Sequence, residues 1–400
     1  MHLMTKASGC VTAAAGFKAA GACCGIKEGA KDLALVVSDV PAAAAGTFTT
    51  NRFCAAPVML SRARLAAGRA RAIVVNSGCA NAATGEAGMR DAEEIAAAAA
   101  RALKLDPAEV LAASTGRIGR RLPLEKIMGA LPALAAALSR AGGRDAAIAI
   151  LTTDTRPKEA VARLALGGKE ATIGGMAKGA GMIHPMMATM LAFITTDAAV
   201  EPAHLAAMLR ASVEKSFNRI TVDGDRSTND SVFLLANGLA GNPVIAGTES
   251  DEARRFADSL DEVTGKLAEM IVRDCEGASK FIEIVVRGAR DAEEAKRLGF
   301  AVANSPLFKT AMYGEDPNWG RILSALGAAG VEFSQDGVEV LLQGQRVFAG
   351  GAPAAADEAA LKKTIMGGDI RIEIALARGG ASERILTCDL TPQYVKLNQT

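Results

Sequence analysis

Short apolar, β-branched runs alternate along the chain with longer Ala-rich stretches of helical period, which predicts a mixed α/β protein rather than an all-α or all-β one. The run Ala72-Ile73-Val74-Val75 predicts a buried strand leading into a polar loop at Asn76-Ser77-Gly78. Residues 89–104 carry acidic side chains early and basic ones late, the order a helix macrodipole favours. Asp106-Pro107 then reads as an N-cap and first-turn pair for a second helix, reaching about Ala113 and running out at Ser114-Thr115-Gly116. A helix over 124–140 should kink near Pro132 and stop before Gly142-Gly143. Residues 159–174 read as a hairpin turning at Gly167-Gly168-Lys169. Four glycines, at 174, 175, 179 and 181, come next and read as one short loop, then a proline, then a strand starting near Thr189. Helices are expected over 202–216, 251–270, 290–303 and 319–328, and strands over 281–286, 337–348, 370–377 and 384–390. No fixed-period repeat is present.

Composition narrows the function classes. The 400 residues allow two to three domains at roughly 100 to 200 residues each. A net charge of +1 supplies no positive field for a nucleic acid or an anionic membrane. Charge or glycine interrupts every longer apolar stretch, so no membrane span is expected, and Met1 to Gly25 lacks the apolar run of a secretory signal. The expected location is the cytoplasm. Seven cysteines, odd in number and without a C-x-x-C pair, indicate neither a disulfide framework nor a zinc site. Of three histidines, His2 lies in the terminus and His204 in an Ala/Leu-rich helix, so an imidazole-based triad is not expected.

The candidate chemistry lies in the glycine-rich stretch. It lacks both phosphate-cradle spacings, G-x-x-x-x-G-K-[ST] and G-x-G-x-x-G. The oxygen-rich run Asp223 to Asp230 lacks the sixth-position glycine and distal glutamate of a calcium loop, and reads as a polar turn with no metal or cofactor. Ala188-Thr189 reads in two ways. One is simply a strand start after a flexible loop. In the other, the chain splits before Thr189, and the new α-amine serves the threonine hydroxyl as general base, with a pKa of ~7.7 to 8.0 that suits the task.

The segment GGMAKGAGMIHPMMATML (174 to 191) resembles the processing and nucleophile segment of the ornithine acetyltransferase family, also called glutamate N-acetyltransferase. Further segments match that family in order: DLALVVSDVPAAAAGTFTTN, IVVNSGCANAATGEAG, ASTGRIG, TTDTRPK, DGDRSTNDSVFLLANG, RDCEGASK, DPNWGRIL and CDLTPQYVKLN. The resemblance runs from about residue 10 to the C-terminus. It implies layered mixed β-sheets flanked by helices in an N-terminal-nucleophile-like, self-processing acetyltransferase. Cleavage between Ala188 and Thr189 would give an α chain (1–188) and a β chain (189–400), two of each per assembly. Thr189 becomes the nucleophile, and Thr115 and Gly116 match the oxyanion-hole pair. Thr152, Lys178, Thr189, Glu276 and Asn398 match substrate-binding positions, with Thr400 in place of a residue beyond the Asn. The implied reaction moves an acetyl group from N2-acetylornithine to L-glutamate. Some family members also use acetyl-CoA, and a related self-processing aminopeptidase or amidase is the alternative. This chain departs from the family pattern at Met186 and Cys79, where Asn is usual, and in its shorter tail.

Overall fold

The structure, a computed structural model, describes residues 10–184 and 190–399. These fall into two compact units, one drawn from the ranges Met1–Gly179, Met186–Asn218 and Arg226–Ile271, the other from Ala180–Pro185, Arg219–Asp225 and Val272–Thr400.

In the first unit the described strands are β1 (Phe17–Ala22), β2 (Leu33–Phe48), β3 (Arg69–Cys79), β4 (Val110–Arg117), β5 (Lys158–Leu166), β6 (Lys169–Lys178), β7 (Leu191–Thr196) and β8 (Ser231–Ala236). The helices are α1 (Ala56–Leu65), α2 (Gly85–Leu103), α3 (Leu124–Ala136), α4 (Gly143–Ala149), α5 (Pro202–Lys215) and α6 (Asp251–Val272). One sheet runs in the order β4-β3-β2-β8-β7-β6-β5, with β1 on β2. Strand β2 is long enough to pair with β3 over Leu33–Val37 and with β8 over Ala43–Phe48. Its register with β3 shifts between Val37 and Ala42, around Pro41, which has no N–H to give to a ladder.

Continuous apolar runs are what a strand buried on both faces requires. Ile73, Val75, Leu111 and Ala113 pack toward Phe17 and the Ala146, Ala147 and Ala149 face of α4. Their neighbours Ala72, Val74, Val110 and Ala112 pack against Ile95, Ala96 and Ala99 of α2 and Ile127, Leu131 and Leu134 of α3. Helices thus lie on both faces of the β3–β4 pair.

This burial overturns the helix expected from Asp106 to Ala113. Asp106 does cap a turn, accepting the Ala108 N–H at 2.8 Å, but only Pro107–Glu109 is helical, and in the tighter 3₁₀ form. Val110 to Arg117 then becomes β4, parallel to β3, because Val110 to Ala113 can bury on both sheet faces at once. Strand β3 likewise does not end at Val75 but continues through Asn76, Ser77 and Gly78 to Cys79, where it stays paired with β4. Gly174 and Gly175 lie in strand β6, not in a loop. A Cβ on Gly175 would stand 3.1 Å from Leu267 and 3.3 Å from Val263, so the glycine lets α6 approach the sheet. The helix over 124–140 ends at Ala136 with Pro132 inside it, and α4 begins at Gly143, where a stop was expected. The 159–174 hairpin is present as β5 and β6.

The second unit contains β9 (Phe281–Ala289), α7 (Ala292–Ala303), α8 (Pro306–Tyr313), α9 (Trp319–Gly327), β10 (Val338–Leu342), β11 (Gln345–Ala349), β12 (Ala352–Pro353), α10 (Glu358–Ile365), β13 (Asp369–Leu376), β14 (Ala381–Cys388) and α11 (Pro392–Leu397). Its sheet runs β12-β11-β10-β13-β9-β14. Here the apolar period is two, so one face is covered and the other is wet. Ile282, Ile284 and Val286 on β9 and Ile370, Ile372 and Ile374 on β13 join Leu298, Phe308, Ile322 and Leu361 from the covering helices. The opposite face carries Glu283, Arg371 and Arg384, joined in ion pairs. The single strand expected over 337–348 is the β10–β11 hairpin, and α8 is an element that the apolar pattern did not predict. No described helix is long and apolar enough to cross a membrane.

Ile284 is fully buried between β13, β14 and the helices of this unit. Ile284→Ala should lower unfolding free energy by about 2 to 5 kcal/mol. A denaturant titration checks it; a change below ~1 kcal/mol contradicts close packing at this position.

Candidate functional site

Strands β3 and β4 place their carboxyl ends side by side, with Gly78 opposite Gly116. Thr115 is buried and Gly116 exposed. Gly116 has φ +133°, and a Cβ there would lie 2.3 Å from the Gly78 carbonyl carbon and 2.5 Å from the Cys79 nitrogen, so only glycine fits. Side chains pin these ends. Ser114 Oγ donates to Asn76 Oδ1 at 2.6 Å, Asn76 Nδ2 to the Cys79 carbonyl at 2.9 Å, and Ser77 Oγ to the Ala149 carbonyl at 2.6 Å. The Thr115-Gly116 pair thus closes no helix but ends a rigid parallel strand.

Next to Gly78 runs a loop organised by one carboxylate. Asp32 accepts the backbone N–H groups of Cys24, Gly25, Ile26 and Lys27. Burial alone would raise its carboxyl, but these donors outweigh burial and hold it below the ordinary value. The arrangement brings Lys27 Nζ to the Leu151 carbonyl at 2.8 Å, one residue ahead of Thr152.

Thr152 and Lys178 meet at Asp154, whose side chain is fully buried. Its Oδ2 accepts the Thr152 N–H at 3.0 Å and lies 3.8 Å from Lys178 Nζ, while its Oδ1 accepts Lys158 Nζ at 2.6 Å and the Gly179 N–H at 2.7 Å. Burial pushes this carboxyl up. The two ammonium groups and the Gly179 N–H overcome that effect and keep it well below the usual carboxylate range. Lys178, the last residue of β6, is 2% exposed. A lysine so deep in a protein is stable only when its charge is met.

The start of β7 is anchored in the same unit. Asp230 Oδ1 accepts the Met190 N–H at 2.9 Å, and β7 pairs in parallel with β8 from Leu191 onward. Asn229 Nδ2 donates to the carbonyls of Ala80 at 2.6 Å and Ser114 at 2.8 Å, tying this turn to the ends of β3 and β4.

In the second unit Glu276 and Asn398 are brought together, with Asn398 Nδ2 donating to Glu276 Oε2 at 2.7 Å. The loop carrying Glu276 is fixed to α11 and to β14's end. Thr391 Oγ1 donates to the Gly277 carbonyl at 2.7 Å, and Asp389 accepts the N–H groups of Ser279 and Lys280. A Cβ on Gly181 would stand 2.5 Å from the Glu276 carboxyl carbon, so that glycine admits the carboxylate. Asp223 accepts the N–H groups of Met182 at 2.6 Å and Ile183 at 2.9 Å, and the Tyr394 hydroxyl at 3.1 Å. This clamps the chain just ahead of Pro185.

Ala188, Thr189 and Thr400, together with Met186, lie outside the described residues. Four carboxylate or amide side chains, Asp154, Asp223, Asn229 and Asp230, anchor these segments, and of them Asp154 was not singled out by sequence reasoning. Three of them sit in the Asp223 to Asp230 run, whose polarity signalled a turn held by side-chain to backbone hydrogen bonds, and that is what they make.

A family model described as ArgJ family matches residues 18–400. The arginine biosynthesis bifunctional protein ArgJ of Symbiobacterium thermophilum is 52% identical over 394 residues, 98% of this chain and 98% of that protein. The protein of the same description from Chlorobaculum tepidum is 48% identical over 385 residues, 96% of this chain and 95% of its own. Among solved structures, the arginine biosynthesis bifunctional protein from Bacillus halodurans superposes with a TM-score of 0.50 at 37% identity, covering 52% of this chain and 97% of that one. Matched along almost its whole length, and at about half of its positions, the chain belongs to the ArgJ family.

Proposed function

We propose that this protein transfers the acetyl group of N2-acetylornithine to L-glutamate, with Thr189 as the acetyl-carrying residue. The observation that carries the reading is the buried cation at the end of β6: Lys178, sharing Asp154 with the Thr152 N–H, eleven positions ahead of residue 189. An ammonium held at low exposure is suited to an amino acid's α-carboxylate, because the pairing is strongest where water is excluded. Glu276, oriented by Asn398, is the complementary anion for an amine. The relatives' place in arginine biosynthesis supports the choice of substrates.

In the reaction the chain splits between Ala188 and Thr189, and the free α-amine of Thr189 takes the proton from its own Oγ. Oγ attacks the acetyl carbonyl, the Thr115 hydroxyl and Gly116 N–H receive the negative charge on oxygen, and ornithine leaves with the proton. The amine of glutamate then attacks the acetyl-threonine ester, and N-acetylglutamate departs. No cofactor takes part in these steps. Acetyl-CoA is proposed as a second acetyl donor to the same threonine.

The sheet order supports two products that remain together. Strands β7 and β8, which come after residue 189, lie between β6 and β2, which precede it. Cutting the chain before Thr189 leaves this pairing intact, and the working assembly is taken as two α and two β chains in the cytoplasm.

Thr189→Ala should abolish both cleavage and transfer: denaturing electrophoresis of the wild type gives two fragments and of the variant one full-length band. Ornithine release from N2-acetylornithine should require glutamate; release at equal rate without it identifies a hydrolase and overturns the transfer reading. Glu276→Gln, which keeps the bond to Asn398, should raise KM for N2-acetylornithine about 10- to 100-fold, the equivalent of one charged hydrogen bond. An unchanged KM removes Glu276 from the substrate contacts.

A further inference from the structure

Cys275 and Cys388 both belong to the second unit, and both are buried free thiols, 7% and 2% exposed. Cys275 lies in the loop ahead of β9, one residue before Glu276, and Cys388 ends β14. Their side chains share a hydrogen bond. Beside Cys388 stands Lys309 of α8, itself only 3% exposed. Its Nζ donates to the Thr387 hydroxyl at 2.9 Å and to the Cys388 carbonyl, and lies 3.8 Å from the Cys388 sulfur. A buried ammonium is stable only where its charge is met, and of these three acceptors only the sulfur ionises readily. The Cys275 hydrogen bond holds the Cys388 thiol below its ordinary value, with help from Lys309 and against burial. Burial and the bond to Cys388 push Cys275 well up. Asp223 opposes ionisation of both sulfurs and Asp389 that of Cys388, which favours one thiolate over two. A thiolate beside a lysine, touching a second thiol, is the arrangement of an oxidisable cysteine with its resolving partner.

We propose that this pair is an oxidative modification site, at which hydrogen peroxide joins Cys275 and Cys388 in a disulfide. The Cys388 sulfur attacks one peroxide oxygen, the O–O bond breaks, and hydroxide leaves with the bonding pair, giving a sulfenic acid. The Cys275 sulfur then bonds to that of Cys388 while the S–O bond breaks, and the hydroxyl departs with the Cys275 proton as water. The proton that Cys388 lost on ionising neutralises the hydroxide. Two thiols and one peroxide thus give one disulfide and two waters, the sulfurs losing the two electrons that the peroxide gains. Peroxide is scarcely larger than water and reaches a buried sulfur that a bulky disulfide reagent does not. The new bond draws Cys275 toward the end of β14, and Glu276 follows it along the backbone. The Glu276 N–H donates to the Ala180 carbonyl at 3.0 Å and its carboxylate accepts Asn398 Nδ2, so a shift of Cys275 disturbs both contacts. The effect on activity rests on the reading of Glu276 as the anion that meets the substrate amine: oxidation slows transfer until a thiol reductant reopens the pair.

The test treats full-length protein with hydrogen peroxide, alkylates the remaining thiols with iodoacetamide and maps the peptides by mass. Cys275 and Cys388 should appear in one linked pair, lighter by two hydrogens than the separate thiols and released by dithiothreitol. Recovery of both as alkylated thiols overturns the proposal, as do disulfides confined to the more exposed Cys23 and Cys24. Cys388 carried to the sulfinic acid while Cys275 stays free overturns it too. In Cys275→Ala the sulfenic acid has no resolving thiol, so dimedone added on unfolding should capture it at Cys388; an unlabelled Cys388 there overturns its role as the attacking sulfur. Glutamate-dependent ornithine release should fall at least ~10-fold on linkage, as small misplacements at a reacting centre produce, and return with dithiothreitol. Linkage without that fall overturns the coupling to Glu276. A reduced protein that transfers no acetyl group overturns the reaction proposed above, and the masses alone then decide the pair.

Discussion

A carboxylate removed from water is tolerated only inside a shell of donors, and Asp154 shows how much geometry such a shell can dictate. Its partners among the described residues include the N–H groups of Thr152 and Gly179 and the ammonium groups of Lys158 and Lys178. Lys158 is the first residue of β5 and Lys178 the last of β6, so the open end of the hairpin is closed by a single side chain. Removing one member of a buried ion pair typically costs about 3 to 5 kcal/mol, because the others are left charged and dry. The register that brings Lys178 to Thr152 therefore has few alternatives, and the substrate cation of the proposed reaction inherits its position from this constraint.

The same device recurs at other stretches of irregular backbone in the first unit. Asp32 organises the loop before Lys27 with four N–H groups, and Asp230 takes the N–H of Met190. The second unit uses Asp223 and Asp389 in the same way, on Met182 and Ile183 and on Ser279 and Lys280. Each carboxylate replaces water for donors that no strand or helix partner reaches. Glycine does the complementary work of close approach, at Gly116 against the Gly78 carbonyl and at Gly181 beneath Glu276.

Much of the fold was legible where the period was long and clear. Helices α2, α5 and α6, the β5–β6 hairpin and the alternating strand β13 arise directly from 3.6- and two-residue spacing. The misreadings have one physical origin. Asp106-Pro107 is a sound helix start, and it starts a turn; the residues after that turn form a strand because Val110 to Ala113 can bury on both faces beside β3, a gain that local propensity does not register. Gly174 and Gly175 looked like loop because glycine is flexible in isolation, yet in β6 they make room for α6.

Family membership, the nucleophile candidate and the residue types suited to amino-acid substrates were determined by sequence, since motif order and chemical type are properties of the chain itself. Which carboxylates serve them was decided only by tertiary structure. Asp154 belongs to Thr152 and Lys178, Asp230 to Met190, and Asn398 to Glu276 through contacts between residues as many as 122 positions apart, and hydrogen-bond geometry over such separations is set by packing, not by spacing along the chain.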